Sequence, residues 1–258
     1  MNREIRIKRH SFESINSTNS YLKGLNGGDA DFDIEVATTD YQTAGRGQKG
    51  NSWESEGGKN LLFSILIHPE NVMASKQFCL SEAISLAVVD TLKRVLSDES
   101  LSKDVAVKWP NDIYWKDKKI AGILIENDLV GCNIRDCIIG VGLNVNQEKF
   151  VSDAPNPVSL YNISGRRYDR EELLNILLGY FIAYYQSIVE NKQLQLHNQY
   201  KQSLFRREGF YSYMDSNGLF LASIEDVMDN GKLVLRDNNG TMRTYEFKEV
   251  SIVLDKQE

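Results

Sequence analysis

Cysteine is scarce in this chain. Three occur among 258 residues, Cys79, Cys132 and Cys137, too few and too scattered for a disulfide framework or a zinc cluster. Cys132 and Cys137 fall beside strand-like stretches, where small buried hydrophobes are expected. His10, His68 and His197 stand far apart without ligand spacing, so no histidine is assigned to metal binding or catalysis. No apolar run approaches the ~20 residues that cross a bilayer, and the charged start Met1-Asn2-Arg3-Glu4 is no signal peptide. These absences point to the cytoplasm and away from a membrane. An excess of positive charge is missing too: 30 Lys and Arg face 36 Asp and Glu, for a net charge of −6. A general nucleic-acid binder draws its affinity from neutralising phosphates, so this balance argues against that class. There is no internal repeat and no low-complexity stretch.

A content of 41% hydrophobic and 26% charged residues is that of an ordinary globular protein. The length suffices for one large domain, or one large and one small. Alternation over residues 4–12 reads as a first strand. Ser17-Thr18-Asn19 offers N-cap chemistry for a short helix running to about Leu25, stopped by Asn26-Gly27-Gly28-Asp29. Strands follow at 34–40 and 60–67. The apolar spacing over 75–96 predicts a helix packed on a sheet. Short branched-rich strands are expected at 105–108, 113–115, 120–128 and 138–145, with Asp117-Lys118 as a tight turn that places Lys119 at a hairpin corner. Residues 153–165 read as a loop. Helices are expected at 170–190 and 193–205, the first with Leu173, Leu174, Leu177, Leu178 and Phe181 on one face.

From Gly209 the pattern changes to five short β segments, punctuated by Asn217-Gly218, Asn230-Gly231 and Asn239-Gly240. Asn-Gly suits two-residue hairpin turns because both residues tolerate φ > 0. The expectation is an α+β chain: a mixed-sheet domain flanked by helices over 1–207, and a small SH3-like β-barrel over 208–258.

The most informative stretch is Gln42-Thr-Ala-Gly45-Arg46-Gly47-Gln48-Lys49-Gly50-Asn51-Ser-Trp53. Glycines bring bare backbone N–H groups close to a ligand, and successive N–H groups flanked by cations make an anion-binding concavity. Alone, such a loop is as readily a flexible turn. Further on stand Lys108-Trp109-Pro110-Asn111-Asp112, Lys119-Ile120-Ala121-Gly122 and Gly140-Val141-Gly142-Leu143-Asn144. The four segments, in this order from about Ser17 to Asn144, resemble biotin protein ligase.

That resemblance implies a class II synthetase-like biotin/lipoate ligase fold. It also implies an activity: biotin and ATP give biotinyl-5′-AMP and pyrophosphate, and a lysine of a biotin carboxyl carrier domain then takes the biotinyl group. A carboxylate is a poor electrophile. Activating it on the α-phosphorus of ATP needs positioning, positive charge and Mg²⁺, then protection of the adenylate from water. The resemblance assigns Lys119, Asp112 and Arg46 to catalysis. It assigns Ser17, Thr18, Asn19, Gln42, Gly45, Arg46, Lys119 and Gly122 to biotin. To ATP it assigns Arg46, Gly47, Gln48, Lys49, Gly50, Asn51, Trp53, Asn111, Lys119 and Asn144, with Asp112 as a Mg²⁺ ligand. Hydroxyl and amide side chains complement the carbonyl and two N–H groups of a urea, and hard oxygen ligands suit Mg²⁺.

Gln48 and Asn51 stand where many members carry arginine, so this loop is less basic than usual. The aromatic that often covers the adenine near Pro157-Val158-Ser159 is missing. Trp109 and Trp115 read as core or wall, and Lys108 as either a partner of Asp112 or a contact of the carboxylate. The catalytic pattern begins almost at Met1, so no DNA-binding winged helix and no specific DNA binding are expected. The assembly is expected to be a monomer or homodimer. Two rivals remain: a lipoate or octanoate ligase, whose Arg-Arg-x-Ser-Gly-Gly-Gly run is absent here, and a non-catalytic sensor built on the same scaffold.

Overall fold

The computed structural model describes residues 5–48, 52–69, 72–151 and 156–254. Seven strands build the larger sheet: β1 (Ile7–Ile15), β2 (Ile34–Gln42), β3 (Leu61–Ile67), β4 (Val105–Lys108), β5 (Asp112–Trp115), β6 (Lys118–Val130) and β7 (Asn133–Leu143), in the order β1-β2-β3-β7-β6-β5-β4. β1 and β2 run parallel, and every other neighbouring pair is antiparallel. The expected mixed sheet is therefore present.

Every residue of β3 is buried, which is why that stretch reads as an unbroken apolar run rather than an alternating one. Its pleat divides the two faces. Ile65 and Ile67 join the main core, whereas Leu66 packs with Ala37, Ile138 and Leu22. Leu22 belongs to α1 (Thr18–Gly24), which begins at the expected cap: the Ser17 side chain accepts from the Ser20 amide. Asn26, Gly27 and Gly28 then take φ of 52°, 101° and 69° and end the helix.

The opposite face carries α2 (Phe78–Val95), packed on α5 (Arg170–Val189) and α6 (Gln193–Gln202). All five apolar residues expected on one face of α5 are buried. By length and composition α5 is apolar enough to span a membrane, a run the sequence reading passed over, but that leucine face is spent on the core. α3 (Glu99–Ser102) is a single turn capped by Asp98.

Several local expectations are corrected. β1 begins at Ile7, and Glu4 lies outside the described residues. The β5–β6 turn is Lys116-Asp117, with Lys116 at φ 51°. The stretch read as a loop contains α4 (Leu160–Ser164), fixed by a reciprocal Ser159/Asn162 capping box and ended by Gly165 at φ 68°; Asp153 and Pro155 lie outside the described residues. Cys132 is exposed, while Cys79 and Cys137 are buried.

Five antiparallel strands make the second sheet: β8 (Tyr211–Asp215), β9 (Gly218–Val227), β10 (Leu233–Asp237), β11 (Met242–Tyr245) and β12 (Ser251–Ile252), in the order β11-β10-β9-β8-β12. At the three Asn-Gly sites the glycines Gly218, Gly231 and Gly240 take positive φ but the preceding asparagines do not, so these are not the two-residue Asn-Gly hairpins expected. The small sheet is fastened to the large one. Trp109 Nε1 donates to the Gly231 carbonyl at 2.9 Å, and Arg206 bonds Asp117 at 3.1 Å and the Val253 carbonyl at 3.1 Å. Buried Glu82 of α2 meets His197 of α6 at 2.6 Å, with Asp226 of β9 beyond.

Candidate active site

A cavity of about 990 Å³ opens between the two sheets. Its polar end is built where α1 starts against β2 and β3. Thr18 N donates to Gln42 Oε1 at 2.8 Å, and the Thr18 hydroxyl lies 2.6 Å from that of Ser64. Ser64 in turn donates to Asn19 Oδ1 at 2.5 Å, while Asn19 Nδ2 donates to Glu126 Oε2 at 2.8 Å. Thr18, Asn19 and Ser64 are buried, Gln42 and Glu126 partly so, and all are mutually bonded, so each amide is held in one orientation. Gly140 makes this possible, because a Cβ there would collide with the Asn19 carboxamide.

The middle of the cavity is set by two bare strand positions. Gly122 and Gly142 are paired neighbours on β6 and β7, and the Trp53 indole covers both. A Cβ on Gly142 would come within 2.6 Å of Trp53 Nε1, and one on Gly122 within 2.9 Å of its Cζ3. Lys119 sits beside the indole, its Nζ 5.6 Å from the ring centroid and 2.6 Å from Asp112 Oδ1. The Lys119 backbone is pinned on both sides, its N–H to the Asn156 carbonyl and its C=O to the Val158 amide. The result is a partly exposed ammonium–carboxylate pair held against an aromatic wall. Asn111 is anchored through Nδ2 to the Ile123 carbonyl at 2.5 Å.

Lys108, one strand further, is not within ion-pair distance of Asp112, whose carboxylate Lys119 has taken. Its ammonium rests 5.0 Å from the Tyr114 ring centroid. Burial holds its pKa below the ordinary lysine value, with Asp112 opposing that shift and Lys119 adding to it.

The glycine-rich flap arises at the end of β2. Its two arms meet at an Arg46–Ser52 bridge, with Trp53 N bonded to the Gly45 carbonyl at 3.1 Å. Arg46 points to Glu126 Oε2 at 3.0 Å rather than to Lys119. At the far end Asn144 donates to the Val158 carbonyl at 3.1 Å, leaving its buried Oδ1 without a partner. Phe150 and Pro157 also line the cavity.

Of the residues expected from sequence, Ser17, Thr18, Asn19, Gln42, Arg46, Gly47, Gln48, Trp53, Asn111, Asp112, Lys119, Gly122 and Asn144 all line this one cavity. Gly45 does not; it forms the neck of the flap against Gln42 and Trp53. Lys49, Gly50 and Asn51 lie outside the described residues. Sequence reasoning missed Ser64, Glu126, Phe150 and the wall supplied by the small sheet, which includes Tyr213, Phe247 and Lys248. Only Ser64 carried a signal, a polar residue inside the otherwise apolar strand β3. Each histidine is bonded to a carboxylate away from the cavity: His10 to Glu35, His68 to Asp136 and His197 to Glu82.

The cleft thus lies between a mixed sheet and a small β unit and gathers a glycine flap, a lysine–carboxylate pair and a ring of amides and hydroxyls. The pattern of the Biotin/lipoate A/B protein ligase family matches residues 11–144, and the chain belongs to that family. It is 27% identical over 215 residues to the "Bifunctional ligase/repressor BirA" of Bacillus subtilis (strain 168), covering 81% of this chain and 64% of that protein. With the "Biotin--[acetyl-CoA-carboxylase] ligase" of Paracoccus denitrificans it shares 28% identity over 211 residues, 77% of this chain and 82% of the relative. The chain thus spans less than two thirds of the bifunctional relative and most of the Paracoccus one. Its fold is that of "Biotin protein ligase from Aquifex aeolicus in complex with biotin and ATP", with a TM-score of 0.78 at 23% identity, covering 95% of this chain and 98% of that one.

Proposed function

We propose that the protein joins biotin to ATP as biotinyl-5′-AMP, expelling pyrophosphate, and then passes the biotinyl group to a lysine of a biotin carboxyl carrier domain, releasing AMP. The observation that carries this reading is the convergence of Lys119, Asp112, Trp53 and the flap on one cavity whose opposite end is a ring of fixed amides and hydroxyls. The amide end takes the urea of biotin. Its carboxylate reaches Lys119, whose ammonium offsets repulsion between carboxylate and α-phosphate and stabilises charge as the C–O–P bond forms. Arg46 and the flap backbone hold the phosphates. The unpartnered Asn144 Oδ1 accepts from the adenine amino group, and Phe150 covers the ring.

Mg²⁺ would arrive on the nucleotide, offsetting phosphate charge. Asp112 and Asn111 line the cavity, and the described residues hold no cluster of three or more metal-ligating groups of the His, Cys, Asp or Glu kind. That donor set fits an ion that keeps phosphate and water ligands. In the second step Asp112 takes the proton of the incoming ammonium, so that the free amine attacks the acyl carbon and AMP leaves. Trp53 and the small-sheet wall keep water from the adenylate.

Incubating the protein with MgATP, biotin and an apo carrier domain, then weighing the carrier intact, tests this reading. One biotinyl increment on the carrier is expected. An unmodified carrier, or modification by lipoate in place of biotin, would refute it. Reaction in the cytoplasm, without membrane or DNA, and as monomer or homodimer, belongs to the same proposal.

A further inference from the structure

Glu126 stands near the exposed end of β6, outside the motifs that mark the site, yet one of its oxygens serves two parts of the cavity. Oε2 accepts from Asn19 Nδ2 at 2.8 Å and from Arg46 Nη2 at 3.0 Å. The other oxygen, Oε1, has Lys23 Nζ 3.8 Å away. The glutamate side chain is 23% exposed and the arginine 47%. The first contact lies at the end that would hold a urea, the second on the loop that would hold phosphates.

An ionised carboxylate only accepts hydrogen bonds. Its presence therefore dictates which way the Asn19 amide faces: NH₂ toward Glu126, carbonyl toward Ser64 and the cavity. The Ser64 hydroxyl uses one lone pair of that carbonyl at 2.5 Å, and a second remains. Asn19 thus presents an acceptor, matched to a urea N–H. The same logic governs the neighbouring amide. Gln42 Oε1 is consumed by Thr18 N, so Gln42 turns its NH₂ toward the flap neck at Gly45. Without the carboxylate, Asn19 Nδ2 keeps only the long 3.5 Å contact to the Leu124 carbonyl, a weak hold against a flip that would place a donor against the urea N–H.

Arg46 stands in a different relation to the same oxygen. Its guanidinium is paired with Glu126 and with the Ser20 hydroxyl at 3.4 Å, and none of its ion pairs faces Lys119. A triphosphate has to draw it off the carboxylate, so the pair opposes nucleotide binding while it preserves the flap's charge near the cavity.

We propose that Glu126 is a positioning residue with opposite effects on the two substrates: it orients Asn19 in favour of the urea-bearing acid and parks Arg46 at the expense of the nucleotide. This rests on the assignment of biotin and ATP to the two ends of the cavity. The test is calorimetric titration of biotin and of MgATP, each alone, into the wild type and into Glu126→Gln, a swap that keeps shape and removes charge. Biotin binding is expected to weaken about tenfold, the cost of a misdirected hydrogen bond, and MgATP binding to tighten about threefold, the yield of releasing a partly exposed ion pair. In Glu126→Gln/Arg46→Ala the nucleotide gain disappears. A glutamate that merely supports β6 would weaken both ligands or neither, and either result overturns the inference while leaving the proposed activity standing. A wild type that binds neither ligand overturns the activity, and this inference with it.

Discussion

Replacing Lys119 by methionine keeps an unbranched side chain, one atom shorter, beside the indole while removing the charge. Lys119 pairs with Asp112 at 2.6 Å, and the two side chains are 29% and 27% exposed. At that exposure an ion pair contributes no more than about 1 kcal/mol to folding. Thermal unfolding of Lys119→Met is therefore expected within a few degrees of the wild type. In the proposed pose, biotin held through its urea at the Ser17–Asn19 end loses only the attraction of its carboxylate for the ammonium, and its affinity is expected to fall less than about tenfold. Adenylate formation loses a charge aimed at the bond being made. Removing one such group from a preorganised site costs on the order of 10²–10³ in rate, about 3–4 kcal/mol. The assay is biotin-dependent exchange of labelled pyrophosphate into ATP, run beside calorimetric titration of biotin. Equal losses in exchange and in affinity would refute the reasoning and make Lys119 an anchor for the acid. A large loss of thermal stability would refute it differently, by showing that the pair holds the sheet together.

Gly142→Ala is expected to displace the Trp53 indole, since the new methyl would lie within 2.6 Å of its Nε1; the measurement is tryptophan fluorescence, with a cost of about 1–3 kcal/mol in stability if the ring cannot move. If Phe150, which lines the cavity, covers the adenine as proposed, Phe150→Ala should raise KM for ATP several-fold and leave KM for biotin nearly unchanged; steady-state kinetics decide it. Stability should fall as pH rises from about 6 toward 8. The Glu82 hydrogen bond raises the pKa of His197, and burial raises that of Glu82. Both groups thus bind protons more tightly folded than unfolded, and their contribution, complete below the unfolded pKa values, is lost as pH climbs through the folded ones. Asp226 adds to the upward shift at His197 and Lys201 opposes it. Melting curves of wild type and His197→Gln across that range should converge toward higher pH, and parallel curves would remove His197 from the account.

Much of the fold could be read locally. The leucine face of α5, the cap at Ser17 and the strand 105–108 depend on spacing and cap chemistry that a single sequence displays. What escaped depends on neighbours far away in the chain. Pro157 made the stretch around α4 look open, although Ser159 and Asn162 already held the geometry of a capped turn. Glu126 looks like any solvated strand carboxylate until β6 folds across the start of α1 and brings Asn19 to it, 107 residues away in sequence. The glycines were legible as glycines, but their use was not. Gly122 and Gly142 are bare because a tryptophan from the flap lies on them, a fact that only strand register reveals. The alternatives for Lys108 turned on which lysine reaches Asp112, and Lys119 does.

The seam at Gly231 carries a consequence for how the molecule comes apart. Its carbonyl takes the Trp109 proton at 2.9 Å, and its missing side chain leaves room for Phe78, which a Cβ would approach within 2.5 Å. One turn of the small sheet thus clasps both the strand that leads to Asp112 and the first residue of α2. If the proposed adenylate forms in the cavity, loosening of this turn is expected to admit water to it through the small-sheet wall.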